Sequence, residues 1–349
     1  MVPVEWPIAA TAVDGGLLPA RAAGSGRLPI VRTDFFLNPN ARLTEQERAL
    51  MTAMLADLVA MLADDFSALL ADAEPANDDG EQLFDRLWST GLLDIPDLLR
   101  LLLRRAEEER VGAGIVAGRQ TGKPRLLQSL VSDPDAEVSA AAMALILARG
   151  RRRDRFDGPR LTFDDLSAES AVTLVNAIAA GLRADLAVRF GGDEADERLS
   201  GAVRALLTRH DEGNRLEAKL FDLVHALDRA GRIDEGFFNA ALDQGEVQVL
   251  TEVLARRAGV SFDSAWDLLS GGGQSLALLL RMSGTSRDVA GEVIASMAEI
   301  VGSTAEAEMA AFDRMTDDEV ESARKWLRLD PAYRAAASAI GGGHGQRPL

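Results

Sequence analysis

PRLLQSLVSDPDAEVSAAAMALILARG, residues 124–150, is the stretch whose reading decides the fold. Pro124 opens a short helix carrying Leu126, Leu127, Leu130 and Val131 at helical spacing. Ser132-Asp133-Pro134-Asp135 then makes a tight turn, with Asp133 as the cap and Pro134 fixing φ for the next helix. That second, Ala-rich helix buries Val138, Ala141, Ala142, Leu145 and Ile146. Such a helical hairpin cannot hide its apolar faces alone and must pack against neighbours.

The flanking chain repeats the helical grammar. Thr44-Glu45-Gln46-Glu47 is a capping box ahead of Leu50, Met54, Leu55, Leu58, Met61, Leu62 and Leu69. Pro75, Asn77 and Gly80 break that series, and a short helix through Leu83 and Leu87 stops at Gly91. Pro96 starts a helix through Leu98, Leu99, Leu102 and Leu103 into Arg104–Arg110. Beyond the hairpin, helices are expected at Ser167–Phe190, through Leu199–Leu207, through Leu216–Leu227, at Ile233–Leu242 and Val247–Ala258 (split by Gly245), and at Phe262–Leu269 behind a Ser261 cap. Leu276–Met282, Val289–Ile300, Thr316–Leu329 with a second capping box, and a short helix from Asp330-Pro331 complete the series. No segment alternates as a strand would.

Composition agrees with an all-α chain. Aromatics are 5% of the 349 residues, with a single Tyr, while Ala, Leu and Arg abound, the unbranched residues that helix interiors favour. Cysteine is absent, which excludes disulfides, thiolate nucleophiles and Cys-ligated metal and fits a reducing cytoplasm. MVPVEWPIAATAVDGG lacks the basic and long apolar regions of a signal peptide. The longest apolar run, Ala140–Ala148, falls far short of the ~20 residues that span a bilayer, so no membrane is expected. A net charge of −17 opposes general nucleic-acid binding. That charge is uneven: residues 100–160 hold 13 Lys/Arg and 8 Asp/Glu, a local +5, leaving 25 and 47, or −22, elsewhere.

Leu126, Leu127, Leu130, Asp133, Pro134, Asp135 and Val138 make a pattern similar to a HEAT repeat, with Ser139 where a basic residue often follows the Val. Only this unit matches closely; an array repeating every ~40 residues is missing. The whole chain resembles an uncharacterised bacterial helical family, the domain of unknown function DUF2336. Asp34–Val59, the 124–153 unit with its Arg run, and the Gly-broken helices around Asp243–Arg281 carry that likeness. The resemblance implies HEAT-like packing across most of 34–330 and supplies no activity, ligand or catalytic residue. The expected architecture is an irregular HEAT-like helical-hairpin solenoid in two lobes, 34–190 (with the hairpin at 124–149) and 191–340, between disordered tails at 1–33 and 341–349.

Reactive chemistry is sparse. His225 follows Leu223–Val224 on an apolar helix, His210 sits in a turn where it can cap or pair, and His344 lies in the tail. No HxH, HExxH or G-x-S-x-G motif occurs. Gly118–Pro124 superficially resembles a phosphate loop, but its glycines are one residue too close and Pro124 replaces Ser/Thr, so a hairpin connection is expected. Ser270–Ser275 reads as a helix-ending loop, with an anion nest as the alternative. Paired acids such as Asp64-Asp65, Asp164-Asp165 and Asp317-Asp318 suit helix starts and solvent faces. Neither catalysis nor any metal or cofactor is therefore expected.

One cluster stands out: Arg149, Arg151, Arg152, Arg153 and Arg155. As a solvated helix end it complements the helix dipole. As a basic patch it docks an acidic partner, phosphate or phosphorylated segment. The function expected is a non-catalytic cytoplasmic interaction or scaffold protein that binds a protein partner through its helical surface. The alternative is a module binding an anionic ligand or nucleic acid through segment 100–160. The Met/Leu-rich helix at 44–71 also offers a face for homo-oligomers.

Overall fold

Thr44 starts the first described helix as its capping box predicts: its hydroxyl accepts from the Glu47 amide at 3.2 Å, and the Glu47 carboxylate accepts from the Thr44 amide at 3.3 Å. Thr316 and Glu319 repeat the exchange near the other end of the chain. In the diagnostic hairpin, helices Leu126–Val131 and Ala136–Arg151 flank the Asp-Pro turn, but the cap is Asp135, two residues later than expected. Asp135 accepts from the Glu137 and Val138 amides, whereas Asp133 accepts from the Asp135 amide and meets Arg232. Pro134 is consequently part of the turn instead of the helix's first residue, where a missing N–H would cost least. The second helix buries Val138, Ala142, Leu145 and Ala148; Ala141 and Ile146 are only half-buried.

A computed structural model describes residues 43–70, 80–117, 126–271 and 274–342. In these residues the chain is all-α, with one isolated bridge, Arg153 to Pro159, and no strand. The helices are α1 Glu45–Leu69, α2 Gly80–Ser89, α3 Pro96–Ala117, α4 Leu126–Val131, α5 Ala136–Arg151, α6 Ala168–Phe190, α7 Gly192–Arg209 and α8 Leu216–Arg229. Next come α9 Glu235–Asp243, α10 Val247–Ala258, α11 Phe262–Ser270, α12 Ser275–Met282, α13 Arg287–Met297, α14 Ala305–Arg314, α15 Asp317–Leu327 and α16 Pro331–Gly342. α14, capped by Thr304, is a helix the periodicity did not predict. The tail expected at 1–33, the Gly118–Pro124 loop, Gly272–Gly273, His344 and all of the expected C-terminal tail beyond Gly342 lie outside the described residues.

Two hydrophobic cores organise the chain. The first gathers α1, α2, the N-terminal half of α3, α6 and α7, with Met51, Leu55, Leu83, Leu99, Leu174, Ile178 and Leu199 all buried. The second gathers the end of α3, the α4–α5 hairpin and α8 through α15. This grouping does not divide at residues 190–191, where the sequence suggested a lobe boundary. Gly191-Gly192 instead closes a tight turn between α6 and α7, which pack together, while the α4–α5 hairpin joins the later helices. α6 is the described helix long and apolar enough to cross a membrane by length and composition, and Leu174, Val175, Ile178, Leu182 and Leu186 are buried in the first core.

α3 joins the cores. Leu98, Leu99, Leu102 and Ala106 belong to the first, Val111 and Ile115 to the second, and the helix packs on α1 at one end and on α9, α10 and α13 at the other. Between its two apolar segments lie Arg104, Arg105, Glu107, Glu108 and Arg110. A long amphipathic helix would turn such charges to water; here Arg105, Glu107 and Glu108 are buried.

Candidate functional site

Burying those charges requires partners, because an unpaired charge in an apolar interior costs far more than its pairing returns. Arg105 donates to Glu108 at 2.8 Å and to Glu217 of α8 at 2.8 Å. Arg104 pairs with the same Glu217 and with Asp263 at the start of α11. Glu107 accepts from the indole N–H of Trp266 at 3.1 Å, and Glu108 accepts from Gln248 of α10 at 2.6 Å. One helix thus ties α8, α10 and α11 through charged hydrogen bonds. Burial alone would raise the Glu217 carboxyl, but the Arg104 and Arg105 guanidiniums outweigh it and hold the pKa at about 2. Burial likewise opposes the charge on Arg105, and Glu108, Glu217 and Asp165 overcome it, so its pKa is raised.

Glu252 of α10 shows the opposite balance. Burial raises its carboxyl to about 7, Arg256 offsets part of this, and Glu217 adds to it. Because the folded pKa lies above the ordinary 4.5, the protein holds this proton more tightly folded than unfolded. Stability from this group is full below pH 4.5 and is lost as pH rises through about 7. Glu252→Gln is therefore expected to stabilise the fold at pH 8 by about 1–2 kcal/mol and to have little effect at pH 4. Urea unfolding at the two pH values checks this; equal effects at both would contradict it.

The arginine cluster divides into two sets. Arg152 is 7% exposed, and its guanidinium grips Asp165 with three hydrogen bonds of 2.8–2.9 Å while donating to the carbonyls of Ala148 and Asn214. Asp165 also accepts from Thr162, so this pair knots the end of α5 to the 163–165 turn and the approach to α8. Arg149 donates to Glu246 at 2.6 Å and to Gln248 at 3.0 Å. Arg153 pairs with Glu109 at 2.9 Å and donates to the Asp157 carbonyl. Only Arg151 and Arg155 point outward without a carboxylate partner among the described residues. A uniform basic patch is thus not what the fold presents.

What it presents is a braced turn. From Arg153 to Pro159 the chain reverses, and the Asp154 carboxylate accepts from the amides of Phe156 and Gly158, both at 2.7 Å. The Asp154 amide donates to the Gly158 carbonyl at 2.9 Å and the Arg160 amide to the Arg152 carbonyl at 3.0 Å. The tip holds Phe156, 78% exposed, with the Arg155 guanidinium 4.6 Å from its ring centroid. α5 adds exposed Met143 and Leu147 one turn apart, and the adjacent α8 adds Phe221. Sequence reading missed Phe156; the available signal was an aromatic among turn formers in Asp154-Arg-Phe-Asp-Gly158.

The two histidines among the described residues pack against aromatic neighbours. His210 lies 3.2 Å from the Leu166 carbonyl and edge-on to Phe163, while half-buried His225 stacks on Phe221. Beside the braced turn, a cleft of about 550 Å³ opens between α3, residues 149–160 and the turn joining α9 to α10. Arg105, Arg149, Arg152, Arg153 and Arg160 line it together with Glu108, Glu109 and Glu246. The basic segment 100–160 thus gathers five of its arginines around one cavity. Among the described residues, no group of three or more His, Asp and Glu is disposed to hold a metal ion.

The model of a bacterial family described as an uncharacterised protein conserved in bacteria, DUF2336, matches residues 104–325. The match covers well over half of the chain and includes the charged stretch of α3, the braced turn and the cleft. No curated protein and no solved structure matches the chain.

Proposed function

The chain belongs to the DUF2336 family, and from its geometry we propose that it is a non-catalytic interaction protein that grips a protein partner through the face made by α5, α8 and the 153–159 turn. The observation that carries this reading is Phe156: a large aromatic held in solvent on a turn braced by its own backbone and by Asp154. Aromatic residues, Phe included, and arginine are enriched at protein interfaces relative to the rest of the surface. A pre-ordered loop also pays less entropy on docking than a mobile one. Arg151 and Arg155 flank the tip, so the partner surface is an apolar pocket bordered by carboxylates. Arg152 supports this role differently, by fixing the turn to the body through buried Asp165.

The same reading extends to architecture. Pairing of α4 with α5, α6 with α7 and α10 with α11 supports an irregular stack of helical hairpins of HEAT-like character, arranged as two interleaved lobes joined by α3. Phe156→Ala is expected to leave folding stability within about 0.5 kcal/mol of the parent, since the side chain is largely exposed and lies against the Arg155 guanidinium. Affinity purification of the tagged chain from its own host, with and without this change, tests the function. A co-purifying protein retained by the parent and lost with Phe156→Ala supports it; an unchanged set of partners rejects it.

A further inference from the structure

The cleft beside the braced turn carries a second reading that does not depend on the first. Five guanidiniums reach the cavity from separate stretches of the chain, among the carboxylates of Glu108, Glu109 and Glu246. Each is ion-paired: Arg105 with Glu108 and Glu217, Arg149 with Glu246, Arg152 with Asp165, Arg153 with Glu109 and Arg160 with Asp57. An incoming oxyanion must therefore compete with an internal carboxylate.

The five arginines are not equally committed. Arg152 is locked by the buried, bidentate contact with Asp165. Arg153, in contrast, meets Glu109 where both side chains are more than a third exposed, at 38% and 36%. Pairs exposed to this extent are held weakly and exchange readily. Arg160 meets Asp57 at comparable exposure, whereas Arg149 with Glu246 is more enclosed. The mouth of the cleft therefore carries cations whose carboxylate partners are replaceable, above a wall that is fixed.

We propose that this cleft binds a small phosphate-bearing molecule, its phosphate against Arg149, Arg153 and Arg160, and that Glu109 is the internal carboxylate the phosphate displaces from Arg153. Guanidiniums reach the cavity from α5, from the turn and from beyond it, and arginine forks bind phosphate oxygens through paired, charge-assisted hydrogen bonds. The volume fits a small ligand. The net charge of −17 argues against a nucleic-acid chain in the same place. Val116, Val247 and Leu216 give the cavity an apolar side for the remainder of the ligand.

The exchange makes opposite predictions for the two partners of one ion pair. Calorimetric titration of the full chain with inorganic phosphate, at constant ionic strength, should show binding that Arg153→Gln weakens by about tenfold or more. Glu109→Gln should tighten it by about tenfold, because the internal competitor is gone. Both positions are part-exposed, so both variants are expected to fold, with thermal unfolding as the control. Phosphate binding that is absent, or that ignores both changes, overturns the proposal. Weakening by Glu109→Gln would overturn the displacement, and citrate binding in place of phosphate would overturn the ligand class. Phe156→Ala should leave phosphate affinity unchanged, which separates this site from the protein-docking face.

Discussion

Arg105→Ala is expected to remove about 3–5 kcal/mol of folding stability, the characteristic cost of stripping one partner from a buried ion pair. The side chain sits where the two cores meet and donates to Glu108 and Glu217, with Asp165 3.9 Å away. Alanine leaves the buried Glu108 carboxylate facing Gln248 and the more distant Arg104 alone. It also removes one of the two guanidiniums that hold Glu217 at about 2. That depressed pKa gives the loss a pH signature. A carboxyl whose folded pKa lies below its ordinary 4.5 contributes stability that is present above pH 4.5 and fades as pH falls toward 2. For Glu217 this contribution is about 3 kcal/mol before any allowance for its partial exposure. The parent should therefore lose stability steeply between pH 4.5 and 2, and Arg105→Ala should do so less steeply, because much of that contribution is already gone. Urea unfolding across this range reads both effects. A variant as stable as the parent at pH 7, or one with the parent's full acid slope, would show that the junction is not held electrostatically.

That junction is also where sequence reading stopped short. The helices were legible because their signals are local: capping boxes at Thr44 and Thr316, proline at the start of α3, the Asp-Pro turn, and 3.6-residue periodicity all act within one or two turns. The partners of charged residues are not local. Arg105 finds Glu217 across 112 positions, and Trp266 finds Glu107 across 159. Nothing in the run Arg104–Arg110 distinguishes a solvated helix face from a buried network, since both are written in the same residues. The Arg149–Arg155 cluster failed for the same reason: it was legible as a concentration of charge, but Arg152 turns inward only because Asp165 and the Asn214 carbonyl are there to receive it. α14 was missed because its apolar stripe is short, and its buried Glu308 looks like a surface acid. That carboxylate in fact caps α12, accepting from the amides of Gln274 and Ala277.

Gly245→Ala is expected to cost about 3 kcal/mol or more, and the reason lies in a close backbone approach between α3 and the turn that joins α9 to α10. Gly245 ends the turn between α9 and α10 with φ at +64°, a left-handed conformation that costs an L-residue about 1–2 kcal/mol. A methyl group there would also stand 2.6 Å from the Gly112 carbonyl oxygen and 2.8 Å from a methyl of Val116. The first obstacle is backbone, held in the middle of a helix, and cannot swing aside as a side-chain tip would. The turn must therefore retreat from α3, loosening the packing around Val247 and distorting the cleft that Gly112 and Gly245 both line. Overpacking of this kind adds about 1–3 kcal/mol to the conformational penalty. Gly91 provides the comparison, because its φ is +74° yet a methyl would meet nothing within 4 Å. Gly91→Ala should thus show the conformational cost alone, about 1 kcal/mol. The difference between the two variants in urea unfolding measures the close approach itself. Equal losses at the two glycines would mean that the seam between α3 and the α9–α10 turn yields without cost, and that the junction rests on its ion pairs alone.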